Sequence, residues 1–128
     1  MERKIKFRGK RIDNGEWVYG YLYRLSEKLN PFIMLIDRRG ESYEVDPKTV
    51  GQYTGQKDKN GEELYDGDIC NCREYECCGK IEWSEDEAGF YFCVFYEDGM
   101  FEEEQLYDYV SELEIIGNIH DNPELLEV

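Results

Sequence analysis

Asp66 and Asp68 flank Gly67 in the segment "LYDGDICNC", and cysteines follow at residues 70, 72, 77 and 78. Two carboxylates this close could hold a hard cation, or divide the work of a general acid and a general base. The same triplet is also turn chemistry, because Asp accepts hydrogen bonds from backbone N–H groups and Gly supplies a positive φ. The sequence favours the turn, and Asp66 and Asp68 stand with Trp83 as candidate binding residues. Cys70 and Cys72, two apart, would share one face of a strand. Cys77 and Cys78 are adjacent, and Cys93 could approach from a neighbouring strand. Structural zinc favours two cysteines on a tight knuckle, with thiolates converging at about 2.3 Å from the metal. Neither Cys-x-Cys nor Cys-Cys converges easily in that way, and no histidine lies near in sequence. Small, soft core filler is therefore preferred for these thiols, with Cys70, Cys72, Cys77 and Cys78 as the set a metal would use.

Nucleophilic chemistry has little to work with. The one histidine, His120, sits in "NIHDNP", and Ser26, Ser42, Ser84 and Ser111 lack a Gly-x-Ser-x-Gly context. The twelve glycines form no phosphate-binding or dinucleotide-binding loop. The expectation is a non-enzymatic protein that needs no cofactor.

Charge is distributed unevenly. Residues 1–60 carry 13 bases and 9 acids, a net of +4, whereas residues 61–128 carry only Arg73 and Lys80 against 21 acids, a net of −19. Solvated acidic strand faces account for this. The sharper alternative is a surface built for a basic partner, or one that imitates the charge of DNA. Direct binding of nucleic acid by this half is not expected. In the other half, Arg3, Lys4, Lys6, Arg8, Lys10 and Arg11 interleave with Ile5 and Phe7. Bases and aromatics together can bind a single strand, but the strand period sends Phe7 inward and the bases outward. Self-association is preferred over nucleic acid, with this basic face meeting an acidic C-terminal face of the same or a neighbouring chain.

The elements that position these residues are strands. "KIKFRGKRI" alternates with period two, and "WVYGYLY" follows an Asn14-Gly15 pair, a two-residue hairpin signal in which both turn residues take φ > 0. "FIMLID" and "ESYEV" continue the meander, joined by a corner at Arg39-Gly40. "KTVGQYTG" is extended after Pro47. Asp58, Asn60 and Gly61 supply tight-turn residues before a strand that begins at Ile69. "GKIEWSEDEAGFYFCVFYEDGMFEEEQL" yields two or three strands, with Ile81 and Trp83 on one face and breaks near Asp86 and Asp98-Gly99. "LEIIGNIH" is a last strand. Asp121 or Asn122 before Pro123 suits the start of one closing helical turn. Residues 104–114 fit helix or strand. The fold class is mostly β with little helix: an N-terminal β-meander over residues 1–52, then a small SH3-like β-barrel unit over residues 53–128. Whether these make two units or one compact domain stays open.

Five cysteines are an odd number, in a chain whose N-terminus lacks the apolar stretch of a secretory signal, so reduced thiols in a cytoplasm are expected. No run approaches the roughly 18 apolar residues of a membrane span, and no membrane partner is expected.

The segment "TVGQYTGQKDKNGEELYDGDI", residues 49–69, resembles the hallmark of the YopX family. "GKIEW" at 79–83, "AGFYF" at 88–92, "LEIIGNIHDNPELL" at 113–126 and the opening "KIKFRGKR" extend the resemblance over essentially the whole chain. It implies a mostly β protein encoded by a bacteriophage or prophage and acting in the bacterial host cell, and it carries over no catalytic, cofactor or metal residues. The cysteine cluster "CNCREYECC" lies outside the resembling pattern. Three functions follow as expectations. The first is an accessory interaction module for a host or phage protein, and the second an acidic mimic of DNA that inhibits a host DNA-binding protein. The third and weakest is a metal-dependent enzyme using Asp66, Asp68 and the cysteines.

Overall fold

The structure, a computed structural model, describes residues 5–36, 38, 40–72, 77–95 and 101–126, with the backbone alone for Cys77, Phe95 and Phe101. Strand accounts for 54% and helix for 13%, so the chain is mostly β. It folds as two compact units, Met1–Tyr53 and Thr54–Val128.

The first unit is an antiparallel sheet of β1 (Phe7–Lys10), β2 (Trp17–Tyr23), β3 (Phe32–Leu35), β4 (Ser42–Glu44) and the start of β5 (Gly51–Lys57), in the order β4-β3-β2-β1-β5. Its register, Arg8 opposite Tyr19 and Gly9 opposite Val18, follows from alternation. Val18 must face inward with Ile33 and Val45, against which Phe7, Leu22 and Leu35 pack. Gly20 lies on that inward face, where an added Cβ would stand 2.0 Å from the Met34 carbonyl oxygen, so only glycine lets β2 and β3 approach. The step from β4 to β5 is held by a short 3-10 turn, Pro47–Thr49. Asp46 caps it by accepting from the Lys48 N–H, and the buried Thr49 hydroxyl accepts from the Lys10 N–H at 2.9 Å.

One hairpin differs from expectation. The connection between β1 and β2 runs from Arg11 to Glu16, closed by the Arg11 N–H donating to the Glu16 carbonyl at 2.9 Å. Gly15 takes φ +73, but Asn14 does not take a positive φ. Its side-chain oxygen instead accepts from the Glu16 N–H at 2.9 Å. A longer loop closed by an Asx-type bond thus replaces the two-residue turn. Arg39 lies outside the described residues, as do Arg3, Lys4 and the Asp98-Gly99 break.

In the second unit β6 (Glu63–Tyr65) neighbours β5, and five strands make a separate antiparallel sheet. These are β7 (Asp68–Cys72), β8 (Cys77–Ser84), β9 (Gly89–Phe95), β10 (Phe101–Gln105) and β11 (Leu113–Asn118), in the order β10-β9-β8-β7-β11. Each of the two sheets has two free ends in its strand order, so neither closes into a barrel among the described residues. What stands of the expected architecture is a mostly β chain with two antiparallel sheets. The residues that fit either helix or strand divide: β10 ends at Gln105, a one-turn helix α1 (Leu106–Tyr109) and a 3-10 turn (Val110–Glu112) follow, and β11 begins at Leu113. Leu106 and Leu113, at the two ends of that connection, are both buried and draw it onto the core. Leu64, Cys70, Cys72, Ile81, Phe92 and Val94 complete that core, each large apolar side chain contributing about 1.5–3 kcal/mol by burial. After β11 the chain ends in the 3-10 turn Pro123–Leu126, opened by proline.

Candidate functional site

The loop that carries Asp58, Asp66 and Asp68 is built as follows. Gly61 takes φ +82 and its N–H donates to the Asp58 carbonyl at 3.0 Å, which folds the chain back from β5 into β6. The Asp58 carboxylate, buried to 6% exposure, accepts from three backbone N–H groups. Oδ1 takes those of Asn60 and Glu62, both at 2.9 Å, and Oδ2 takes that of Ile115 on β11 at 3.1 Å. One carboxylate thus closes its own turn and ties it to a strand 57 residues away. The second turn uses the same device. Asp68, 2% exposed, accepts from the Tyr65 N–H at 2.7 Å. Gly67 takes φ +94, its N–H donating to Ile81 and its carbonyl accepting from Ile119. Asp66 is half-buried in this turn. Trp83 sits apart on the ladder, opposite Phe90 on β9, 41% exposed and edge-on to the Phe90 ring at 5.0 Å.

Cys70 and Cys72 point into the core beside Ile81 and Phe92, both fully buried. Cys78, opposite Asn71, lies on the other face and is half-buried. Burial pushes the Cys70 thiol well above its ordinary value, with Asp68 and Asp58 adding to the shift. Burial also raises Cys93, to about 12, helped by the hydrogen bond its thiol donates to Glu82 at 3.4 Å. Thiolate is the form that binds metal or attacks an electrophile, so Cys70 and Cys93 are held in the inert form. Among the described residues no three His, Cys, Asp or Glu side chains gather as a metal site would require. Cys72 stands opposite Cys77 in register, but the Cys77 side chain and residues 73–76 lie outside the described residues. The His120 N–H and the Asp121 N–H both donate to the Asn118 side chain, at 3.0 and 2.9 Å, which places the histidine in the turn that ends β11.

Two surfaces remain. On the first unit Tyr19, Tyr21 and Tyr23 all face outward, 45%, 50% and 37% exposed. Tyr21 stands opposite Met34 and Tyr23 opposite Phe32, whose ring it stacks on at 5.5 Å. The bases of β1 share this face, since Arg8 is paired with Tyr19 and Lys10 with Trp17. The Arg8 guanidinium lies 4.7 Å from the Trp17 ring and the Lys10 ammonium 5.5 Å from it. Alternation had separated the bases from Phe7, and cross-strand pairing then put them beside the aromatics of β2.

The second unit carries a cleft of about 280 Å³, bounded by Thr54 and Gln56 of β5, by Glu87, Phe90 and Tyr91, and by Gln105, Leu106 and Tyr107 where β10 passes into α1. A second hollow of about 180 Å³ adjoins it, lined by Glu82, Trp83, Ser84, Tyr91, Cys93 and Glu103. Tyr91 belongs to both. Glu82 and Gln105 pair with it from β8 and β10. Burial raises the Tyr91 hydroxyl above its ordinary value, with Glu87 and Glu103 adding to it. The sequence offered Trp83 as a candidate and did not single out Tyr91 or Tyr107, because these hollows form only when β9 lies between β8 and β10.

The two β units, with their carboxylates folded into turns and their apolar thiols in a core, define a mostly β protein that displays aromatic side chains on outward sheet faces. The chain belongs to the YopX protein family, whose model matches residues 6–127. Comparison with curated proteins finds no match. Among solved structures it is similar to one described as the crystal structure of protein EF1440 from Enterococcus faecalis, at 26% identity over 98% of this chain and 100% of that chain, with a TM-score of 0.48.

Proposed function

We propose that this chain is a non-enzymatic protein-interaction module, an accessory protein of phage or prophage type that works in the bacterial cytoplasm and binds a host or phage protein. The observation that carries this reading is the row of Tyr19, Tyr21 and Tyr23 on β2, each more than a third exposed while Val18 on the same strand is buried. Tyrosine offers a large contact area at low entropic cost, and tyrosines are enriched among the residues that dominate protein interfaces. The strand order of the second unit supports an SH3-like character. Four strands run as a meander, a helical turn follows, and the fifth returns to pair with the first.

The test is capture from a bacterial lysate by tagged protein, run beside the variant Tyr19→Ser/Tyr21→Ser/Tyr23→Ser. Those side chains are exposed, so the variant should keep the wild-type circular dichroism spectrum. A truncated interface tyrosine costs about 2 kcal/mol, so the variant should lose a specific partner that the wild type retains. An identical set of partners at identical yield from the folded variant would refute the reading.

A second reading, an acidic mimic of DNA, is favoured by Glu82 and Glu103 on one outer face and by the run Glu85-Asp86-Glu87 in the turn beside it. Its attraction is screened, so that partner would be a DNA-handling protein lost steeply as salt rises. A complex indifferent to salt would remove this alternative.

A further inference from the structure

We infer that the cleft astride Tyr91 is a second binding site, one that takes an extended, arginine-bearing segment of another protein. Three observations converge on it. The first is size. At about 280 and 180 Å³ the two hollows each fall below the roughly 300–1,000 Å³ of small-molecule sites. They are seats for successive side chains of a chain laid across the sheet. The row Glu82–Tyr91–Gln105 crosses β8, β9 and β10 in register. Neighbouring strands lie about 4.8 Å apart, so this row spans roughly 10 Å, which an extended peptide covers in about three residues.

The second is the lining. Tyr107, on the helical turn after β10, is 76% exposed, and Trp83, on the same face of β8 as Ile81, is 41% exposed; each lines one of the two hollows, and Tyr91 lines both. Large exposed aromatic groups are the usual anchors of an interface. Thr54, Gln56 and Gln105 add the polar groups a peptide backbone needs.

The third is charge. Glu87 lines the first hollow, and Glu82 and Glu103 line the second. Lys80 ion-pairs with Glu82 at 3.7 Å, whereas neither Glu87 nor Glu103 is ion-paired among the described residues. A partner side chain here must therefore be cationic and must also lie flat on a ring. Guanidinium meets both demands. It stacks on an aromatic face and gives two parallel hydrogen bonds to a carboxylate, where an ammonium is only a point charge.

The experiment is titration of the full chain with a short synthetic peptide bearing arginine at alternate positions in a Gly-Ser-Pro background, followed by calorimetry and by amide chemical shifts. The same peptide with lysine, and with glutamate, in place of arginine completes the set. The expected result is saturable binding of the arginine peptide, with shifts concentrated at Tyr91, Gln105 and Tyr107. The lysine peptide binds several-fold more weakly and the glutamate peptide not at all. Glu87→Gln/Glu103→Gln should weaken binding about tenfold, consistent with loss of charge-assisted hydrogen bonds. Tyr107→Ala should weaken it several-fold, and its exposure makes misfolding an unsuitable explanation. Tyr19→Ser/Tyr21→Ser/Tyr23→Ser should leave it unchanged, which separates this site from the one on the first unit. Absence of binding overturns the inference. So does binding whose shifts spread evenly over the acidic surface and which Glu87→Gln/Glu103→Gln leaves at wild-type strength, because that is diffuse attraction and not a cleft.

Discussion

Replacing Asp58 tests whether the loop is held by one carboxylate. In Asp58→Ala three backbone N–H groups lose their acceptor at once: Asn60, Glu62 and Ile115. Asn60 and Glu62 are exposed and water replaces the lost bonds. Ile115 lies half-buried on β11, and its N–H loses a charged acceptor that water replaces poorly. Hydrogen bonds to charged groups contribute about 1.5–3 kcal/mol, and a buried donor left alone costs about 1–3 kcal/mol. Two partly compensated bonds and one uncompensated bond place the loss near 3–4 kcal/mol, a large share of the roughly 5–15 kcal/mol that holds a typical domain. Asp58→Asn is the sharper variant. An amide has a single acceptor oxygen, so it can serve the turn or Ile115 but not both, and its NH₂ then faces another donor. About half the loss of the alanine variant is expected. Urea unfolding followed by circular dichroism measures both variants, and hydrogen exchange of the β11 amides should show protection falling first at Ile115. An alanine variant within about 1 kcal/mol of wild type, or an asparagine variant equal to wild type, would refute the assignment, since the charged acceptor would then contribute nothing that water does not.

Further outcomes follow from packing and protonation. Gly79→Ala would place a Cβ 2.4 Å from the Cys93 carbonyl oxygen and 2.8 Å from the Phe92 ring. Overpacking of cores costs about 1–3 kcal/mol, and because a backbone atom cannot swing aside the loss should sit at or above the top of that range by urea unfolding. Ala88, at φ +51 in the turn between β8 and β9, is held in a left-handed conformation that costs a non-glycine residue about 1–2 kcal/mol. Ala88→Gly should therefore raise stability by up to about 1 kcal/mol after the extra entropy of glycine is subtracted, and an unchanged or lowered melting temperature would count against the strain. Iodoacetamide should label Cys78 before Cys70, Cys72 or Cys93, as peptide mass mapping would show, because the latter three are buried. Cys93 keeps its proton up to about 12 in the folded state, whereas an unfolded thiol releases it near pH 8.5. The folded state binds more protons across that window, so stability is full below it and falls as pH rises through it. A melting temperature that stays flat from neutral to strongly alkaline pH would contradict this.

Several features were legible from residue order alone because their causes are local. Period-two alternation made β1 and β2 visible, since a strand must send Phe7 and Val18 to one side and Arg8 and Tyr19 to the other. Asp58 and Gly61, and Asp68 and Gly67, announced turns, because an Asp oxygen and a positive φ act within a few residues of each other. Pro123 announced the closing helical turn by the same logic. The Asn14-Gly15 pair was read too tightly: local chemistry marked a reversal there, but the Arg11–Glu16 bond set its length.

Residues 104–114 needed the fold, because "QLYDYVSELE" satisfies a strand and a helix equally until Leu106 and Leu113 are drawn to one core. The outward direction of Tyr19, Tyr21 and Tyr23 also needed it. Alternation says that three residues share a face but not which face is covered. Nothing in the sequence joined Asp58 to Ile115, or set Glu82, Tyr91 and Gln105 in one row, because such pairings depend on strand order and register across a sheet. Composition and spacing by themselves determined a mostly β chain with an acidic second half, since these depend on residue type and near neighbours, and the motif at residues 49–69 carried the resemblance to the YopX family. Which aromatic and acidic groups meet on one surface was decided only by tertiary structure, because that proximity is created when distant strands pair.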